Sequence, residues 1–340
     1  MFKIIKIAKK THARLGVLYT ARGRVSTPFF MPDATRGFIK SVGSGDLEKL
    51  GMGPMVINTF HFLLQPKMKI IKKAGGAHKF MGYDRPLLSD SGGFQVFSLI
   101  RRSRPGKSFG EITDDKVIFK YPLDGSRQEL APEKAIEIQF DLGVDMMVCL
   151  DDCPPNDSPL KEIEESVERT IVWAGRCRRE YDRQIKKRKI KKNRPLLFSV
   201  IQGGADLRLR KHCAEELIKI GFDGYGFGAM PVDKKGKFLE EVLKYTASLI
   251  PKNSLRFALG VGTPEDIWRC ISYGWDMFDC VIPTREGRHG RIFLQKRKLK
   301  SKKSKKSKKI KIENFYSVIN INNARFAEDF SPINPDSKLL

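Results

Sequence analysis

Short apolar runs recur along the chain, and each stops at a polar or glycine-containing cluster. In order they are Pro28–Met31 before Pro32-Asp-Ala-Thr, Met55–Ile57 before Asn58-Thr, and Leu87-Leu88 before Ser89-Asp-Ser-Gly. Met146–Leu150 precedes Asp151-Asp, and Leu197–Ile201 precedes Gln202-Gly-Gly. Gly224–Gly228 precedes Ala229-Met-Pro, Phe257–Leu259 precedes Gly260-Val-Gly-Thr, and Met277–Ile282 precedes Pro283-Thr-Arg. Continuous apolar runs of this length suit strands buried on both faces.

Helical patterns lie between several of these runs. Pro132–Leu142 has proline near its start, early acids and apolar residues at helical spacing. Leu160–Tyr181 and Leu207–Ile220 read the same way, and Thr263-Pro-Glu-Asp has the form of an N-cap followed by proline in the first turn. Eight strand–helix units predict an α/β protein, a (β/α)8 TIM barrel, with its site at the C-terminal strand ends where the polar clusters fall. A doubly wound sheet would concentrate ligand contacts at one switch point and would not predict a polar cluster after every strand.

Two segments interrupt the alternation. Gly106–Leu130, with its Asp124-Gly turn, predicts an inserted hairpin. Lys296–Lys311 is a Lys/Ser-rich low-complexity stretch, expected to be a disordered or extended loop, and Phe315–Asn322 reads as a return strand after it. The expected organisation is therefore a catalytic barrel over 1–294, a Lys/Ser-rich loop over 295–312, and the remnant of a C-terminal subdomain over 313–340.

Charge narrows the partner. The chain of 340 residues has 64 Lys plus Arg against 39 Asp plus Glu, for a net +25. That favours a polyanion, most plausibly nucleic acid. Much of the excess is local. Lys296–Lys311 holds 11 basic residues and no acid, and Arg183–Arg194 holds 8 basic residues. Two readings are open for both runs, direct RNA contact and solvated surface. The six cysteines (149, 153, 177, 213, 270 and 280) form no Cys-x-x-Cys pair, and no secretory leader is read at the N-terminus. Reduced thiols in a cytoplasmic protein are the simplest account. No apolar stretch approaches the roughly 18 residues that span a bilayer, and the five scattered histidines offer no sequence-local zinc site.

Asp90 and Asp279 stand where an apolar run gives way to a polar or glycine-rich stretch. Two such carboxylates can perform glycosidic chemistry, one as nucleophile and one as acid/base. Each could instead cap a turn.

Five segments in order change that balance: Ser89-Asp-Ser-Gly-Gly-Phe-Gln-Val-Phe-Ser98, Leu150-Asp-Asp-Cys-Pro154, Val200-Ile-Gln-Gly-Gly204, Gly260-Val-Gly-Thr-Pro-Glu-Asp266 and Met277–Arg285. With them the chain, from about Thr27 to Pro335, resembles the bacterial-type tRNA-guanine transglycosylases. The resemblance implies exchange of guanine at the wobble position of GUN anticodons for 7-aminomethyl-7-deazaguanine (preQ1), a step toward queuosine, through a covalent enzyme–RNA intermediate. It makes Asp279 the nucleophile and Asp90 the acid/base. It assigns the base pocket to Ser91, Gly92, Gly93, Phe94, Asp151, Gln202, Gly228, Ala229 and Leu259. Asp151 would accept from N1–H and the exocyclic amine, Gln202 and the Gly228–Ala229 backbone would meet the O6 edge, and Phe94 and Leu259 would sandwich the ring. Cys153 is either a ligand contact or a small buried hydrophobe.

The resemblance further implies RNA contacts from Gly260, Val261, Gly262, Thr263, Pro264, Glu265 and Asp266, a turn entering a helix N-terminus, and from Thr284, Arg285, Glu286, Gly287 and Arg288. Surface charge is the plainer reading of the two arginines. Val232 falls where queuine-using members tend to have glycine, which favours preQ1. Ala229 and Lys234 depart from the glycine and glutamate common in bacterial members. Members also carry a Cys-x-Cys-x-x-Cys cluster and a histidine for structural zinc beyond the equivalent of Pro335. No cysteine follows Cys280 here, so the expectation is no metal and no other cofactor. The partners implied are tRNA, preQ1 and guanine, with a homodimer or a separate chain carrying the zinc module, and no membrane. A non-catalytic tRNA-binding or partner subunit is the alternative.

Overall fold

The first residues build an antiparallel meander that the strand–helix pattern does not announce. Its strands are β1 (Phe2–Ile7), β2 (Arg14–Thr20) and β3 (Gly23–Thr27). The structure, a computed structural model, describes residues 1–101, 109–121, 124–295 and 315–334. The Lys/Ser-rich run Lys296–Lys311 lies outside the described residues.

All eight expected barrel strands form. They are β4 (Phe29–Pro32), β5 (Met55–Asn58), β6 (Leu87–Asp90), β10 (Met146–Val148), β11 (Leu196–Ile201), β12 (Gly224–Phe227), β13 (Leu255–Leu259) and β14 (Met277–Cys280), with β7–β9 inserted between β6 and β10. Their hydrogen-bonded order is β4-β14-β13-β12-β11-β10-β6-β5, all parallel. A parallel bridge from Asp33 to Val56 and the Ala34 N–H donated to the Val56 carbonyl at 2.7 Å join the two ends, closing the barrel. The last strand stops at Cys280 rather than Ile282. Pro283 suits a first helical turn, and Ile282–Arg288 form a helix instead.

The helices fall where local chemistry starts them. Pro132–Leu142 has Pro at its first turn and ends on left-handed Gly143. Leu207–Ile220 starts at Asp206, whose carboxylate accepts from the N–H groups of Arg208 and Leu209. Pro264–Tyr273 starts at Thr263, whose hydroxyl accepts from the Asp266 N–H. The helix expected over Leu160–Tyr181 runs on to Lys187. Its extra turns are tied by Arg183 to Glu180, by Gln184 to Glu180, and by Arg188 to Gln184 and Asp141. Cations in a last turn also suit the helix dipole.

The expected hairpin is a three-stranded meander of β7 (Gly110–Ile112), β8 (Val117–Lys120) and β9 (Arg127–Leu130). The return strand is present as β16 (Tyr316–Asn320), antiparallel to β15 (Arg291–Gln295).

The barrel interior is filled by Met31, Val56, Leu88, Met146, Val148, Phe198, Val200, Phe257 and Met277. Leu18 and Val25 of the N-terminal meander join the same cluster and plug the end where the strands begin. Arg14 anchors that plug. Its Nε donates to Asp276 Oδ1 at 2.8 Å, and both side chains are buried.

Candidate active site

Strand alternation decides which side chains reach the barrel mouth. Met277, Leu88, Val56 and Phe257 point into the interior, and residues two further along a strand share that face. Asp279, Asp90, Asn58 and Leu259 therefore converge at the C-terminal ends of their strands. The register confirms the level: Asn58 lies opposite Asp90, and Leu259 opposite Asp279.

Asp90 is held by three donors. Asn58 Nδ2 reaches its Oδ2 at 2.7 Å, Gln95 Nε2 the same oxygen at 3.3 Å, and the Gly92 N–H reaches Oδ1 at 3.0 Å. Ser91 is buried and its hydroxyl accepts from the Gly93 N–H. The turn is tight: Gly92 has φ +80, and a Cβ there would lie 2.7 Å from the Phe60 backbone nitrogen. Burial first, then the negative charge of Asp33, pushes the Asp90 carboxyl up to about 7, against its three donors. A carboxyl with that value can hold a proton near neutral pH and release it.

Asp279 accepts from the Gly260 N–H at 3.1 Å. Burial, then Asp33 and Asp90, raise its carboxyl above the ordinary range, and the Gly260 N–H opposes them. Asp151 follows β10 and Gln202 follows β11. Gln202 Nε2 donates to Asp151 Oδ2 at 2.6 Å, and both are buried. Burial raises Asp151 to about 7.

Gly228 follows β12, and a Cβ there would collide with the Gln202 amide. Ala229 beside it has φ +131, a backbone region that side chains rarely adopt. Leu259 is partly buried against the barrel interior. Phe94 stands on the first turn of the helix Gly93–Arg101 with 47% of its surface exposed, open to stack on a ligand. Cys153 is half-buried beside this set.

The expected RNA-contact residues divide. Gly260, Val261, Gly262 and Thr263 form the loop between β13 and the helix Pro264–Tyr273. The Gly260 N–H is directed at Asp279, and Thr263 caps Asp266. The first helical turn already holds Glu265 and Asp266, both paired with Arg269. Thr284, Arg285, Glu286, Gly287 and Arg288 lie on the helix Ile282–Arg288, just past Asp279. Arg285 and Arg291 flank Glu286 at 3.6 and 3.3 Å. In the second basic cluster Arg183, Arg188 and Arg194 pair with Glu180, Asp141 and Asp223, so this part of it serves as internal ion pairs.

Three contributors were not singled out from the sequence, two of them visible only as members of polar clusters and one within a helical pattern. Asn58 caps the helix Thr59–Leu64 through Oδ1 while its Nδ2 binds Asp90. Asp33 directly follows β4. Arg210 is fully buried, lies 4.1 Å over the Phe227 ring, and donates to the carbonyls of Ile201, Gly204 and Gly228. It thereby fixes the backbone on both sides of Gln202. A lone arginine in a helical pattern gives no sign of this.

A cavity of about 210 Å³ lies at the opposite barrel end, lined among others by Arg22, Asp145, Arg188 and Arg194. Its arginines face Asp145, Asp141 and Asp223, which leaves no charge to draw an anion. The carboxylate mouth is the site with chemistry.

Among the described residues no three His, Cys, Asp or Glu side chains are grouped to hold a metal ion. The six cysteines all lie between β10 and the end of β14, five of them buried. The described residues do not fit the structural zinc that the resemblance implies. Among the described residues no helix is long and apolar enough to cross a membrane.

A closed parallel barrel with buried carboxylates gathered at its strand ends defines a TIM-barrel protein whose mouth is suited to glycosyl transfer. The model of the family described as queuine tRNA-ribosyltransferase matches residues 9–339. The chain is 39% identical over 335 residues to the queuine tRNA-ribosyltransferase of Halothermothrix orenii, covering 98% of this chain and 80% of that protein. It is 38% identical to that of Anoxybacillus flavithermus and 37% to that of Geobacillus kaustophilus, with 98% of this chain and 79% of each relative covered. The chain belongs to the queuine tRNA-ribosyltransferase family.

Proposed function

We propose that this chain replaces guanine at the wobble position of tRNAs with GUN anticodons by preQ1, in queuosine biosynthesis. Family membership supports the reaction class, and one observation carries the assignment of roles. Asp279 and Asp90 face the same barrel mouth with different partners: burial raises both carboxyls, but Asp279 accepts from one backbone N–H, whereas Asp90 is gripped by Asn58, Gln95 and the Gly92 N–H.

The Asp279 carboxylate attacks C1′ of the target ribose, and the bond to guanine breaks. Asp90 gives its proton to the leaving base. The covalent ester then meets preQ1, whose N–H proton passes to Asp90 as its nitrogen displaces Asp279 from C1′. Two inversions restore the β configuration.

Asp151 reads the N1–H and amine edge, Gln202 and the Gly228–Ala229 backbone read O6, and Phe94 and Leu259 cover the ring faces. The branched Val232 favours preQ1 over a bulkier base. The target nucleotide leaves its stack to reach the slot. Arg285 and Arg288 meet the flanking phosphates or bases, with the Gly260–Asp266 loop opposite them.

The test is incorporation of labelled guanine or preQ1 into such a tRNA at low salt, where phosphate contacts are strongest. Incorporation is expected from the unaltered chain and none from Asp279→Asn. Absence of incorporation by the unaltered chain at high enzyme concentration overturns the proposal.

A further inference from the structure

Asp33 directly follows β4, the strand that lies between β14 and β5 in the closed barrel. In the register Met31 is opposite Asp279, and Asp33 bridges to Val56 on β5. Met31 and Val56 both point into the barrel interior. Asp33, two residues beyond Met31, shares that face. Three carboxylates from β4, β6 and β14 therefore meet at one mouth, with Asn58 of β5 between the first two.

The hydrogen bonds at Asp90 make this arrangement consequential. Asn58, Gln95 and the Gly92 N–H all donate to it, and all three favour its ionised form. Left to these donors, Asp90 would lose the proton that an acid needs. Burial is the larger counterweight, and the neighbouring negative charge of Asp33 adds to it, because like carboxylates in one partly desolvated pocket cannot all ionise. Asp33 is itself raised to about 6 by burial. The other charged group that acts on this pair is Asp279 from β14, which feels both Asp33 and Asp90; on neighbouring elements Asp151 lies beyond β10, and His61 lies on the helix Thr59–Leu64 beside Arg36.

We propose that Asp33 is a positioning residue of the base exchange: placed at the mouth with Asp90 and Asp279, it keeps a proton on Asp90, so that Asp90 enters the reaction as an acid. This rests on the function proposed above. In each cycle the proton leaves Asp90 with guanine and returns from the incoming base, and Asp33 itself neither gains nor loses one overall.

The experiment compares the pH dependence of guanine exchange in the unaltered chain, Asp33→Asn and Asp33→Glu. Asp33→Asn is expected to move the alkaline limb of kcat/KM down by about one pH unit, so that activity falls about tenfold at pH 8 and little at pH 6. Asp33→Glu keeps the charge and is expected to keep the original limb. A uniform loss at every pH with both limbs in place would mark a merely structural role and overturn the proposal. A second measurement needs no turnover: titration of the Asp90 carboxyl by carbon-13 NMR in the unaltered chain and in Asp33→Asn, with folding checked by circular dichroism. The Asp90 midpoint is expected to fall in the variant, and an unchanged midpoint overturns the proposal. Absence of exchange by the unaltered chain at every pH would refute the proposed function, and the NMR titration still decides what Asp33 does to Asp90.

Discussion

Gln202 Nε2 lies 2.6 Å from Asp151 Oδ2, joining the ends of the neighbouring strands β11 and β10. The amide donates to a buried carboxyl. An incoming guanine or preQ1 offers N1–H and amine donors to the same carboxyl.

Turning one of the two acceptor oxygens into a donor spoils that match. Asp151→Asn is expected to lower kcat/KM for guanine exchange by about tenfold or more, since one donor of the base loses its partner at about 1.5 kcal/mol or more and meets an N–H instead. Steady-state exchange kinetics check it, and an unchanged KM and kcat would remove Asp151 from the base pocket.

Asp90 should also limit stability. Its carboxyl is near 7 in the folded chain against an ordinary 3.8, so the folded state binds the proton more tightly than the unfolded state. Between about pH 4 and pH 7 the folded chain carries more protons, and stability falls as pH rises through that window. Above it the cost of the buried charge is fully present. Asp90→Asn is therefore expected to stabilise the protein at pH 8 by on the order of 1–3 kcal/mol while abolishing exchange, and to have no stabilising effect at pH 4. Thermal melts at the two pH values provide the comparison; lower stability of the variant at pH 8 contradicts the assignment.

Ala229 pays for its place with backbone strain. At φ +131 a methyl-bearing residue is out of its preferred range, at a cost of order 1–3 kcal/mol. Ala229→Gly removes the strain and adds some unfolded-state freedom, leaving a net stabilisation of about 1 kcal/mol. Urea denaturation measures it. A destabilised variant would mean that the methyl packs better than its backbone suffers.

The fold was legible because each barrel strand is a short apolar run with its own polar terminus, a pattern confined to neighbouring residues. Pro132 and Thr263 announced their helices through first-turn chemistry that acts over a few residues. The N-terminal meander was not legible in the same way. Its strands alternate buried and exposed positions only in part, and a bulge between Ile4 and Lys6 breaks the β1 pattern. The extension of the helix Leu160–Lys187 beyond Tyr181 depends on contacts such as Arg188 with Asp141, 47 residues away in sequence.

In the site, the sequence by itself determined the residue types: two aspartates at strand ends, a further Asp151 and Gln202 for a base edge, and a glycine-rich turn before Phe94. Their assignment to separate roles came with the resemblance to a family. Only the tertiary structure decided that Asn58 and Gln95 converge on Asp90, that Arg210 braces the carbonyls on both sides of Gln202, and that Asp33 shares a mouth with Asp90 and Asp279. The reason is physical. A strand end and a helix cap are fixed by interactions over a few residues, whereas the ionisation of a carboxyl is fixed by burial and by charges that barrel closure brings together from strands as far apart in the chain as β4 and β14.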